Sequence, residues 1–190
     1  MQTGLVVWLA VGFVVVALIG IYLSWTAGRL DRLHNRTAAA WASLDAQLVR
    51  RAAVAGEIAH AATVRGLLPA DACAELAATS ARALDARPED RAAAENDLGR
   101  TLRAVLDPTA QDKIAGDLEL APLLAALEAA MTKVVLARRF HATAIEDTLA
   151  LRNSRVVRWF RLAGSASLPK YFDIDDTPVE LSISTPSRPH

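Results

Sequence analysis

The first charged side chain in this chain is Arg29, and the stretch from Leu5 through Trp25 to Ala27 is apolar almost throughout. A helix needs roughly 20 such residues to cross a bilayer core of about 30 Å. Backbone amides and carbonyls find no partners in lipid, so a segment of this kind crosses as a helix or not at all. Tyr22 and Trp25 near one end and Trp8 toward the other are the ring types that favour the two interfaces. A cleaved secretory signal is the competing reading. It is disfavoured because Met1-Gln2-Thr3 carries no basic side chain, the apolar run is long, and Ser24-Trp25-Thr26-Ala27 places a bulky ring where a small-x-small cleavage site is needed. The expectation is a retained anchor over 1–28, in contact with the lipid bilayer through residues 5–25.

Orientation follows from the flank. Arg29, Arg32 and Arg36 come directly after the span, offset in part by Asp31. Basic residues favour the cytoplasmic side, which predicts an outside N-terminus, a cytoplasmic bulk and a single pass through a bacterial inner membrane.

Beyond the span the chain is rich in Ala, Leu, Arg and Glu, all good helix formers, and apolar residues recur every three or four positions. Leu30, Leu33, Thr37, Trp41, Leu44, Leu48, Ala52, Ala55, Ile58 and Ala62 share one face of a helix that leaves the span without a break. Arg32, Arg36, Asp45, Gln47, Arg50, Arg51 and Glu57 are expected on its wet side. Gly66 and Pro69 end it. Ala70 to Ala86 predicts a second helix with Leu76, Ala77, Ala83 and Leu84 inward. Pro88-Glu89-Asp90 reads as a first turn, either at a kink in one long return helix or at a break between two. Ala92, Glu95, Leu98, Leu102, Val105 and Leu106 continue the pattern, and Asp107-Pro108 marks a boundary. Thr109 to Leu120 is less regular. From Pro122, the series Leu124, Leu127, Met131, Val134, Ala137, Phe140, Ile145, Leu149, Val156 and Phe160 predicts a final long helix reaching Ala163. The fold expected is all-α: an N-terminal transmembrane helix followed by a long antiparallel helical bundle over 29–164. The stretch 165–190, with Lys170-Tyr171-Phe172, several aspartates and four prolines, reads as a tail whose aromatics pin its start while its end is loose.

Candidate chemistry is sparse. Lys plus Arg and Asp plus Glu each number 21, a balance that gives no support to nucleic-acid binding, which needs a basic face. Cys73 is the only cysteine, so an intrachain disulfide is excluded and a small buried thiol is expected. Glu57 and His60 form a Glu-x-x-His pair, but a carboxylate-bridged two-metal bundle needs a second pair and none occurs. Phosphate-loop, His-Glu-x-x-His and Gly-x-Ser-x-Gly patterns are absent from the sequence. No catalytic, cofactor or metal residue is therefore assigned. The candidate interaction surface is basic: Arg50, Arg51, Arg138, Arg139, Arg155 and Arg158. Arg152, Arg155, Arg158 and Arg161 recur three apart among aromatics, either as the solvated side of the last helix or as a lipid-facing surface.

The order of span, basic flank, Ala40-Trp41-Ala42-Ser43-Leu44-Asp45-Ala46-Gln47-Leu48-Val49-Arg50-Arg51, then Ala94-Glu95-Asn96-Asp97-Leu98, then Ala137-Arg138-Arg139-Phe140 resembles the LemA family. The resemblance runs from the anchor to Tyr171-Phe172 and implies a bacterial, membrane-anchored antiparallel helical bundle with its N-terminus outside. It implies no reaction, since none is assigned to the family. Departures fall at His141-Ala142 and Leu151-Arg152-Asn153, where the family carries Tyr-Asn pairs. Two more fall at Trp159-Phe160-Arg161-Leu162, in place of Phe-Pro, and at Leu162-Ala163-Gly164-Ser165, in place of a Leu-Phe-Gly-Phe-like segment. The function expected is a membrane-tethered, noncatalytic scaffold or interaction module for a protein partner. The alternatives are a bundle-cleft enzyme or metal protein, or a structural protein that self-associates through exposed helix faces.

Overall fold

The computed structural model describes residues 2–153, and among these every regular element is a helix. The expected all-α bundle with a long apolar N-terminal helix is what forms. The elements are α1 (Gln2–Arg65), α2 (Ala70–Asp85), α3 (Arg91–Val105), α4 (Pro108–Ala115) and α5 (Ala121–Arg152). The apolar run and the amphipathic stretch behind it share α1, which crosses Arg29 without a break.

Each end of these helices has a local cause. At the end of α1, Gly66 adopts a φ of 62°, the Gly66 amide donates to Thr63 O at 3.2 Å and the Leu67 amide to Ala62 O at 3.1 Å. That pairing is the Schellman arrangement, which satisfies carbonyls the helix would otherwise leave open. Asp71 lies in the first turn of α2, where free amides favour negative charge. Asp107 caps α4, its Oδ1 accepting from the Ala110 amide at 2.7 Å, with Pro108 at the first helical position. The open choice at Pro88 is decided as a break. Residues 86–90 form a turn in which Arg87 pairs with Glu89 and Asp90, at 3.2 and 2.8 Å, and α3 starts one residue after the two acids rather than containing them.

The chain divides into two compact units. Among the described residues, the first takes α1 as far as Trp41 and α5 from His141. Within it Trp41 meets His141, Thr37 meets Ala144 and Thr148, and Arg36 meets Asp147. Numbers fall along α1 as they rise along α5, so the two helices run antiparallel there.

The second unit spans Ala42–Phe140 and holds the main core. Ala52, Ala55, Ile58 and Ala62 of α1 join Cys73, Leu76 and Ala83 of α2, Leu98 and Leu102 of α3, Ile114 of α4 and Leu124 and Leu127 of α5 in one apolar cluster. Small residues let the backbones approach: a Cβ added at Gly56 would stand 3.6 Å from the Ser80 Cβ. Asp45 reaches Arg91 and Arg51 reaches Glu95, so positions on α1 and α3 rise together. These two helices are parallel because α2 carries the chain back between them. Arg65 closes this unit at the end of α1 with ion pairs to Asp117 at 2.8 Å and Glu119 at 2.6 Å.

The expected inward face of α1 is correct from Leu30 to Ala62, where every position named is buried or half-buried. Three side chains expected inward elsewhere are not. Ala77 and Leu84 of α2 face outward, and Cys73, Thr79 and Ser80 fill that side of the core instead. Phe140 is 61% exposed, and the neighbouring His141, at 5%, takes its place in the seam. Val156, Phe160 and the helix end at Ala163 lie outside the described residues, as does the whole of the 165–190 tail.

Candidate functional site

The most concentrated polar chemistry in the described chain is inside it. Arg51 and Glu95 are both buried. The Arg51 Nη2 donates to Glu95 Oε2 and also, at 3.1 Å, to the Glu95 carbonyl. Beside them Arg91 Nη2 donates to Asp45 Oδ1 at 2.7 Å and its Nη1 to the Ala83 carbonyl at 2.7 Å. This second pair closes the last turn of α2 onto α3 and ties both to α1. Burial pushes the Glu95 carboxyl above its ordinary value, against the opposing pull of Arg51 and Arg91. A carboxylate so enclosed has no route to an external substrate, and its chemistry is that of a joint between helices.

Arg51 therefore leaves the candidate interaction surface. It was expected on the wet side of α1, yet it stands three residues after Leu48 and four before Ala55, within the buried register. Arg50 and Arg139 are exposed, while Arg138 is half-buried. Arg155 and Arg158 lie outside the described residues. Of the residues named for the basic surface, burial removes Arg51 alone among those described.

A second polar seam lies in the other unit. Thr37 Oγ1 lies 3.0 Å from Thr148 Oγ1, and also donates to the Leu33 carbonyl at 3.0 Å and to the Ala144 carbonyl at 3.2 Å. The Trp41 and His141 rings meet with centroids 5.5 Å apart at 54°. Burial holds the His141 imidazole below its ordinary pKa of 6.5, which favours the neutral ring. Sequence reasoning passed over this histidine, although spacing marks it: Leu127, Ala130, Val134, Ala137, His141, Ala144 and Thr148 alternate by three and four, and all are buried.

Glu57 and His60 are both exposed, and no group of three or more His, Cys, Asp or Glu side chains is placed to share a metal among the described residues. Two open grooves run along α2 and α3. One, of about 440 Å³, lies over Ala81, Ala86, Ala93 and Ala94, and the other, of about 300 Å³, lies over Thr79, Thr101 and Ala104. Arg82 and Asp97 border both, and Asp97 is paired with Arg100.

Fold and site together define an all-α protein with a polar-jointed core. Among the described residues one helix, α1, is long and apolar enough to cross a membrane, with a mean hydropathy of 2.4 over its most apolar stretch and none of that stretch buried. No family model, curated protein or solved structure matches the chain.

Proposed function

We propose that this chain is a membrane-tethered, noncatalytic helical module that binds or organises another protein at the cytoplasmic face of the membrane, with its N-terminus outside. The observation that carries the reading is the continuity of α1. Exposed apolar side chains from Val7 to Trp25, with Leu23 alone half-buried, pass within one helix into the buried face that begins at Thr26 and Leu30 and builds the core at Leu44 and Leu48. Exposed apolar surface on that scale is costly in water and is satisfied by lipid, so one element tethers and folds the protein together. Its polar clusters act as helix joints, which supports binding rather than turnover. The ordered blocks around Trp41 and Arg51, Glu95 and Arg138-Arg139 support kinship with LemA-like bundles of a bacterial inner membrane.

Photocrosslinkers at Arg50, Arg139 and Arg158 in intact membranes test the proposal. Adducts to a discrete protein at one or more of these positions are the expected result. Adducts to lipid and solvent alone would overturn it.

A further inference from the structure

We propose that Tyr22, Trp25, Arg29 and Arg32 form a single stripe of α1 that holds the phosphate-bearing headgroup of an anionic phospholipid; this rests on the membrane reading of α1. The four positions are spaced three, four and three apart. At about 100° per residue they fall within an arc of about 80°. Tyr22 and Trp25 are 51% and 58% exposed, and Arg29 and Arg32 are exposed as well. Neither arginine makes an ion pair or hydrogen bond among the described residues. Arg36, the next member of the same spacing, is engaged by Asp147 at 3.4 Å and ends the free stripe.

Three features aim this stripe at a lipid. Asp31, the only acidic residue before Asp45, lies about 130° around the helix from the midpoint of Arg29 and Arg32, so it does not neutralise them. The buried side of α1 at this level, marked by Thr26 and Leu30, is centred about 100° away, so packing leaves the stripe open. Depth also agrees. Arg29 and Arg32 follow Trp25 by about 6 and 10 Å of helix rise, while the polar headgroup layer extends roughly 5–7 Å beyond the hydrocarbon on each side. Helical side chains lean toward the N-terminus, which tips both guanidinium groups back toward that layer. A guanidinium fork pairs with phosphate oxygens through parallel N–H donors, and the rings beside it suit the level where acyl chains meet headgroups.

The full-length protein is reconstituted in vesicles of phosphatidylcholine and phosphatidylglycerol in equal parts, released, and examined by native mass spectrometry for the lipids it retains. The wild type is expected to keep phosphatidylglycerol in preference. Arg29→Gln with Arg32→Gln lowers that preference by about fivefold for each arginine removed. Arg29→Lys with Arg32→Lys keeps the charge, face and depth of the flank but removes the guanidinium fork, and preference is expected to fall here as well. Equal retention of the two lipids by the wild type overturns the proposal, and undiminished preference in the lysine variant overturns it in favour of diffuse attraction. Displacement of the retained phosphatidylglycerol by millimolar inorganic phosphate overturns it in favour of a free-anion site. Each of these outcomes leaves the tether intact. Recovery of the wild type outside the membrane fraction sinks the tether reading and this proposal together.

Discussion

The Arg51–Glu95 pair illustrates how a buried ion pair differs from a surface one. Two ions taken out of water lose hydration, and their attraction offsets that loss only while both are present. Glu95→Ala strands the Arg51 charge in the core and is expected to cost about 3–5 kcal/mol. Arg51→Met with Glu95→Leu removes both charges and should recover most of that loss. Thermal unfolding followed by circular dichroism in detergent checks both; equal destabilisation of the single and double variants would show that the pair is not what holds α1 to α3. Glu95 and His141 also give pH slopes of opposite sign. Burial raises the Glu95 pKa, so the folded state binds its proton more readily and stability falls as pH rises through the folded value; Glu95→Gln removes that slope. His141 is shifted down from 6.5, so its contribution is complete above 6.5 and is lost as pH falls through the lower folded value. Melting temperatures of wild type and His141→Phe, measured from pH 7.5 down to pH 5, should diverge on the acid side, with the wild type losing more.

Helix ends and helix faces were legible to different degrees. Gly66, Pro69, Asp107-Pro108 and Pro122 punctuate the sequence where α1, α2, α4 and α5 begin or end, because the residues that stop or start a helix act through local backbone geometry. Gly66→Ala tests one of them. Nothing lies within 4 Å of an added Cβ, so the cost comes from the backbone at φ 62° alone. A loss of about 1–2 kcal/mol is expected for alanine and less for asparagine, which tolerates the left-handed region better. Chemical denaturation of the two variants side by side measures the difference. Faces failed where a polar residue occupies an inward position. Spacing places Arg51 after Leu48 and His141 after Ala137 in the buried series, but assignment by side-chain type sent one to water and replaced the other with Phe140. The partners that make burial tolerable, Glu95 and Trp41, lie 44 and 100 positions away.

At the scale of the whole molecule, α1 is one helix whose first part is long and apolar enough to cross a membrane and whose second part builds the core, and the proposed tether has a direct test. After alkaline carbonate washing of membranes, the full-length protein should remain in the pellet, as a spanning helix does, rather than move to the supernatant as a peripheral protein would. Composition and periodicity alone determined the helical class, the exposed apolar run, the course of α1 and most of its inward face, because each depends on residues within a few turns of one another. Whether Pro88 bends a helix or ends one depended on tertiary structure. The break lets α2 fold back on α3 and brings Arg91 to Asp45 and to the Ala83 carbonyl. Periodicity already carried Glu95 in the inward series and leaves room for Arg51 in that of α1, but their pairing was a tertiary outcome: a charge enters the core only when its counter-charge arrives from another helix, and no local pattern names that partner.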